Sequence, residues 1–176
     1  MLKEKQNLKF TVRNVKINDI KQVYRLLVAN KPLVGLNSRY TYFLLARDFF
    51  DTCIVAEHDG NIVAFSSGYV PPRRKDTFFN WETVVQRDYR GSGLQKRLLL
   101  EQIKMANATY LEATVNPSNE ASNRGFTKLA EVLGAECEKR LLFSEEDFEN
   151  DGHEAEVLYR IGPISKDNLE KQLGHV

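Results

Sequence analysis

Cysteine is scarce: Cys53 and Cys137 are the only two in 176 residues, each alone in an apolar-patterned segment. Two isolated thiols build neither a disulfide framework nor a zinc knuckle, and both read as buried small hydrophobes. Histidine is nearly as thin. His58, His153 and His175 show no metal-ligand spacing with the cysteines, so no metal is expected. Long apolar runs are missing as well; nothing approaches the ~20 residues of a membrane-spanning helix. Met1-Leu2-Lys3-Glu4-Lys5 leads into no signal-peptide core, and a cytoplasmic location is the expectation. Neither charge is in excess. Lys and Arg number 25 against 24 Asp and Glu, leaving +1 and no basic field for nucleic acid or a membrane surface. Repeats and linkers are absent. The expectation is one domain over 1–176, with a core from about 9 to 163 and a polar, loose tail over 164–176.

Hydrophobic residues make up 42% of the chain, which supports a sizeable core. Phe10-Thr11-Val12-Arg13 alternates like a strand, and Ile20, Val23, Tyr24 and Leu27 recur at helical spacing behind a cap at Asn18 or Asp19. Pro32 and Gly35 break the chain before a second helix that starts at Asn37 or Ser38. Asp59-Gly60 between two β-branched runs is a hairpin signal. Tyr69 to Lys75 leaves the sheet as a basic loop. Tyr110 to Val115 reads as a strand, and a helix capped by Ser118 or Asn119 ends at Gly134. Cys137 to Phe143 and Glu156 to Ile161 read as strands around an acidic loop, 144–152. This order predicts an α/β (α+β) domain, a mixed sheet with helices on both faces.

The chain is organised around Trp81 to Leu100, a β-branched run, then Arg90-Gly91-Ser92-Gly93-Leu94-Gln95, then a leucine-rich helix. The glycines let backbone approach a ligand, and the helix N-terminus adds unpaired N–H groups and the positive end of its dipole. Together these make a phosphate or pyrophosphate cradle. The spacing is neither a P-loop nor a dinucleotide fingerprint, since Gly-Lys-Ser/Thr and the third glycine are both missing.

The loop resembles the acyl-CoA pyrophosphate loop of GNAT N-acetyltransferases, with Arg90 and Gly93 matching and Gln95 replacing a small residue. The element order is similar to the GNAT fold over about residues 9–163. Five phrases resemble the L-2,4-diaminobutyrate acetyltransferases of ectoine biosynthesis: Leu36 to Tyr40, Phe50 to Glu57, Tyr69 to Pro72, Tyr110 to Asn119 and His153 to Pro163. The resemblance implies acetyl transfer from acetyl-CoA to the side-chain amine of L-2,4-diaminobutyrate, giving the N4-acetyl product, in a homodimer. Departures are Gly35 for the family's aspartate, Glu82 for its usual glutamine, Ala155 for an acidic residue, and Gln95.

Acetyl transfer requires a held diphosphate, an oriented thioester, an amine that loses a proton and a stabilised oxyanion. Backbone N–H groups of Arg90, Gly91, Ser92, Gly93, Leu94 and Gln95 are expected at the diphosphate, with the Arg90 side chain either there or solvated. Backbone of Val84 and Val85 is expected along the pantetheine arm. Asn119 reads as a helix cap, and the resemblance adds a contact to CoA. Phe126 stands where many GNAT enzymes carry a tyrosine acid, so no general acid is assigned. Asn37, Ser38, Tyr40 and Tyr42 near a helix start, with Trp81, are substrate candidates, against a plainer reading as cap and packing residues. Glu82 is the best-placed base by position, with His153 and Glu156 its rivals. The resemblance's glutamine argues against an obligatory base at Glu82 and for a loss below about tenfold on Glu82→Gln. His153 and Glu156 can converge on substrate only if His153 still belongs to the turn before its strand. Other diamines as acceptor, and a non-catalytic acyl-CoA or metabolite sensor, remain the alternatives.

Overall fold

In the computed structural model, residues 8–31, 35–149 and 151–175 are described. Pro32, an expected breaker, lies outside them. Among them are seven strands, β1 (Thr11–Asn14), β2 (Ile54–His58), β3 (Asn61–Tyr69), β4 (Thr77–Val85), β5 (Tyr110–Val115), β6 (Cys137–Phe143) and β7 (Glu156–Ile161). They form one sheet in the order β1-β2-β3-β4-β5-β7-β6. Only β4 and β5 run parallel; the other neighbours are antiparallel. Helices α1 (Ile20–Ala29) and α2 (Arg39–Asp48) cover one face through Val23, Leu27, Tyr42 and Leu45, packed on Val55, Phe65 and Val84. Helices α3 (Leu94–Met105), α4 (Glu120–Leu133) and α5 (Lys166–Leu173) share the other core with Phe78, Leu111, Ala113 and Tyr159. The expected mixed sheet with helices on both faces is what forms.

Local chemistry accounts for the boundaries. Asp59 and Gly60 take left-handed φ values of 49° and 76°, so β2 and β3 close as a tight hairpin. Ser38 caps α2 by accepting from Thr41 N–H at 3.3 Å, Asn119 caps α4 from Ser122 N–H at 3.1 Å, and Gly134 at φ 60° ends α4. Asp19 does not cap α1 with its side chain. Its carboxylate accepts from Lys16 N–H at 2.7 Å and from the Arg13 guanidinium at 2.6 Å instead. The expected loose tail is also corrected: α5 folds over residues 166–173, capped by Ser165, with Ile164 and Leu169 buried. Two apolar side chains in a polar run are enough to dock it, and Asn168 Nδ2 donates to Leu133 O at 3.0 Å. Cys53 is buried as expected, and burial pushes its thiol up to about 11; Cys137 is half-buried.

Candidate active site

The site begins at one irregularity in β4. Ser67 pairs with Glu82 but Gly68 pairs with Asn80, so Trp81 is an extra residue, a β-bulge. Gly68 is required opposite it, because a Cβ there would sit 2.4 Å from Phe79 O. The parallel pairing of β4 with β5 runs from Thr77 opposite Tyr110 to Asn80 opposite Ala113 and stops there. Past that point the strands separate, while β5 stays paired with β7 to Val115 opposite Val157. The gap is a cleft of about 470 Å³, walled by Asn80 to Thr83 on one side and Ala113 to Asn116 on the other. Gly35, Leu36 and Asn37 line it from the loop before α2, and His153 and Glu156 from the segment entering β7.

Glu82 lines this cleft although only 9% of it is exposed, and among the described residues its Oε2 has no hydrogen-bond partner. Burial pushes its carboxyl up to about 7, against a partial lowering by the Tyr42 hydroxyl. Tyr42 is fully buried and does not line the cleft. Burial first, and the neighbouring Glu82 second, raise its phenol to about 12, while its oxygen accepts from Asn37 N–H at 3.2 Å. Tyr42 thus stands behind Glu82 as a support, a correction to its placement among substrate contacts. Ser38 is spent on its helix cap, and Tyr40 is 69% exposed; neither lines the cleft. Asn37 and Trp81 do line it, Trp81 being half-exposed because the bulge rotates it away from the core.

His153 precedes β7, as convergence with Glu156 requires: its Nε2 lies 3.7 Å from Glu156 Oε1. The imidazole stacks on Phe148, ring centroids 4.1 Å apart, and its Nδ1 sits 2.7 Å from Glu154 O. Asn116 Nδ2 donates to Glu156 Oε1 at 3.2 Å, so both neighbours meet the same carboxylate oxygen. Sequence reasoning singled out neither Asn116 nor Phe148. Asn116 stood within a resembling phrase, whereas the Phe148 stack depends on how the acidic loop folds.

The glycine loop has the conformation its sequence demands. Gly91 and Gly93 adopt φ values of 76° and 84°, and a Cβ at either would meet nothing within 4 Å. The first helical bond of α3 is Arg97 N–H to Gly93 O at 3.0 Å, so the N–H groups of Leu94, Gln95 and Lys96 precede it. Ser92 Oγ braces the turn by donating to Tyr89 O at 2.7 Å. This open, left-handed backbone ahead of a helix fits a diphosphate. Arg90 is turned back on the protein instead: its Nε donates to Val85 O at 3.1 Å and its guanidinium also reaches Asn30 Oδ1. The Val84 side chain is core, and its backbone pairs with Phe65 on one side only, as β5 has left the other. Gln95, Asn119 and Phe126 all line the cleft, and Gln95 and Phe126 also line a neighbouring pocket with Gly93. Asn119 Oδ1 is engaged in its cap, and the Phe126 ring packs 5.8 Å from that of Tyr159.

Comparison with known proteins matches these parts. The Acetyltransferase (GNAT) family profile covers residues 20–130. An L-2,4-diaminobutyric acid acetyltransferase of Marinococcus halophilus is 43% identical over 80% of this chain and 83% of its own. Another, from Halalkalibacterium halodurans, is 41% identical over 78% of this chain and 74% of its own. Diaminobutyrate acetyltransferase EctA from Paenibacillus lautus, solved with L-2,4-diaminobutyric acid and coenzyme A, superposes with TM-score 0.83 at 35% identity, covering 92% of this chain and 99% of its own. Ard1 from Thermoplasma volcanium, at 18% identity and TM-score 0.69, shares the fold.

Proposed function

The chain belongs to the GNAT acetyltransferase family, among its L-2,4-diaminobutyric acid acetyltransferases, and from that membership we propose how its cleft works. The reaction is transfer of the acetyl group of acetyl-CoA to the side-chain amine of L-2,4-diaminobutyrate, giving the N4-acetyl product, a step of ectoine biosynthesis. The observation that carries this reading is the bulge at Trp81, which opens the sheet and turns a buried carboxylate, Glu82, into the opening. Bound acetyl-CoA supplies an activated acetyl group and a stable leaving thiolate.

The N–H groups from Gly91 to Lys96 hold the diphosphate, and the backbone edge of Val84 and Val85 that β5 leaves, where Val85 O accepts from Arg90, orients the pantetheine arm. Glu82, its carboxyl pushed up to about 7 by burial, takes the proton that the amine must lose. Trp81 offers an aromatic face to the cationic substrate. Glu156, fixed by Asn116 and His153, accepts from the α-ammonium, and Asn37 at the α2 N-terminus faces the carboxylate. Tyr42 holds Glu82 in place. Arg90 locks the loop to β4 rather than meeting the phosphate.

The enzyme is proposed to be cytoplasmic and a homodimer. Among the described residues no helix is long and apolar enough to cross a membrane. Edge strand β6 presents Leu141 at 60% exposure and Phe143 at 47%, an apolar pair suited to a second copy. A thiol-release assay with diaminobutyrate, ornithine, lysine and no amine tests the activity. Release specific to diaminobutyrate supports it. Preference for a longer diamine contradicts the substrate, and no amine-dependent release contradicts catalysis.

A further inference from the structure

The α3 side of the sheet buries a polar cluster directly beneath the bulge. Ser66 and Gln102 are completely buried, and Asn80 is 5% exposed. Ser66 Oγ donates to Gln102 Oε1 at 2.7 Å and lies 2.6 Å from Thr83 Oγ1. Asn80 Nδ2 reaches Ser66 Oγ at 3.1 Å, Thr83 Oγ1 at 3.1 Å and Ser67 O at 3.2 Å. Thr83 Oγ1 returns a bond to Asn80 Oδ1 at 3.3 Å. Gln102 Nε2 donates to Thr52 O at 2.7 Å, and Thr52 Oγ1 to Gly68 O at 2.7 Å.

Placement gives this cluster its meaning. Asn80 and Thr83 flank Trp81 and Glu82, so their mutual bonds span the bulge. In a regular strand, residues 80 and 83 point to opposite faces; the extra residue brings them to the same one. Ser67, whose carbonyl Asn80 holds, is the residue paired with Glu82. Asn80 is also the last β4 residue paired with β5. Gln102 belongs to α3, the helix that begins at the glycine loop. We propose that Asn80, Ser66, Thr83 and Gln102 are positioning residues that fix where β4 parts from β5. They thereby set the width of the cleft and the direction of Glu82, and join both to the helix under the diphosphate loop. A core that only needed filling would use apolar residues here, since a buried polar cluster is favourable only when every member is satisfied.

The catalytic part of the test rests on the acetyl-transfer reading; the binding part does not. Ser66→Ala removes the hub without touching the cleft wall, while Thr83→Val keeps the side-chain shape without the hydroxyl and Thr83→Ser keeps the hydroxyl without the methyl. For each, kcat with both substrates saturating, CoA affinity by calorimetry and melting temperature are measured. The expected result for Ser66→Ala and Thr83→Val is a kcat loss of about 10²-fold, the scale of a misplaced reacting group, with weakened CoA binding. Thr83→Ser, although Thr83 also lines the cleft, is expected to recover at least about tenfold of the kcat that Thr83→Val loses, as retained hydroxyl bonds require. If Ser66→Ala does not fold, the two Thr83 variants decide. The proposal is overturned if folded variants lose melting temperature but keep kcat and CoA affinity, or if Thr83→Ser fails as badly as Thr83→Val. A parent protein that binds CoA yet leaves diaminobutyrate unacetylated contradicts the function reading, and CoA affinity across the variants still decides this one.

Discussion

Glu82 carries two consequences of burial. Its folded pKa of about 7 lies above the ordinary 4.5, so the folded state retains a proton that the unfolded chain releases between those values. Its contribution to stability is therefore favourable at low pH and declines as pH rises through that window. Glu82→Gln should raise the melting temperature at pH 8 and leave it nearly unchanged at pH 4.5, with an upper bound on the order of 3 kcal/mol. The same variant should cut kcat by about 10²–10⁴-fold, and the parent kcat should rise with an inflection near pH 7. That is a larger loss than the resemblance's glutamine implied, because Glu82 is buried at the cleft and its carboxyl is pushed up to about 7. A Glu82→Gln enzyme with near-parent kcat and a parent-like pH profile contradicts the base assignment. Glu156 is the other residue with a sharp expectation. Glu156→Ala should raise KM for the diamine roughly ten- to a hundredfold, as loss of ~1.5–3 kcal/mol implies, with KM for acetyl-CoA unmoved. Gly35→Asp should lower the diamine KM, since a Cβ at Gly35 meets nothing within 4 Å and the position lines the cleft.

At the scale of elements, the glycine loop was legible because its chemistry is local. Gly91-Ser92-Gly93 before a leucine-rich run can hardly be anything but a turn into a helix, and both glycines take the left-handed φ that only glycine adopts readily. Gly93→Val forces a β-branched residue to φ 84° and crowds the N–H groups, so CoA affinity should fall by about tenfold or more in a folded variant. Unchanged affinity by calorimetry contradicts the cradle. The bulge was not legible. Asn80 to Thr83 carries no glycine or proline to mark it; the mark is Gly68 on the partner strand, visible only once the register is known. Tyr42 was misplaced for a related reason, since helical spacing cannot say whether a tyrosine faces the core or a ligand. Helix α5 was missed because Ile164 and Leu169 are too few for a periodic signal, and their docking is a tertiary effect.

For the whole molecule, the element order carried the mixed sheet with helices on both faces, and the resemblance carried its GNAT topology. Assembly has no such local signal. Leu141 and Phe143 on β6 are the surface that a second copy is expected to cover, so Leu141→Lys with Phe143→Lys should turn a dimer into a monomer by light scattering. An unchanged mass would place any dimer elsewhere. The central claim is that this cleft delivers acetyl to one particular nitrogen. NMR of the product formed from acetyl-CoA and L-2,4-diaminobutyrate reads that nitrogen directly. The account predicts a single product acetylated at N4, with the γ-methylene proton signals shifted and the α-amine free. Acetylation at the α-amine, or no product beyond that formed without enzyme, would contradict it.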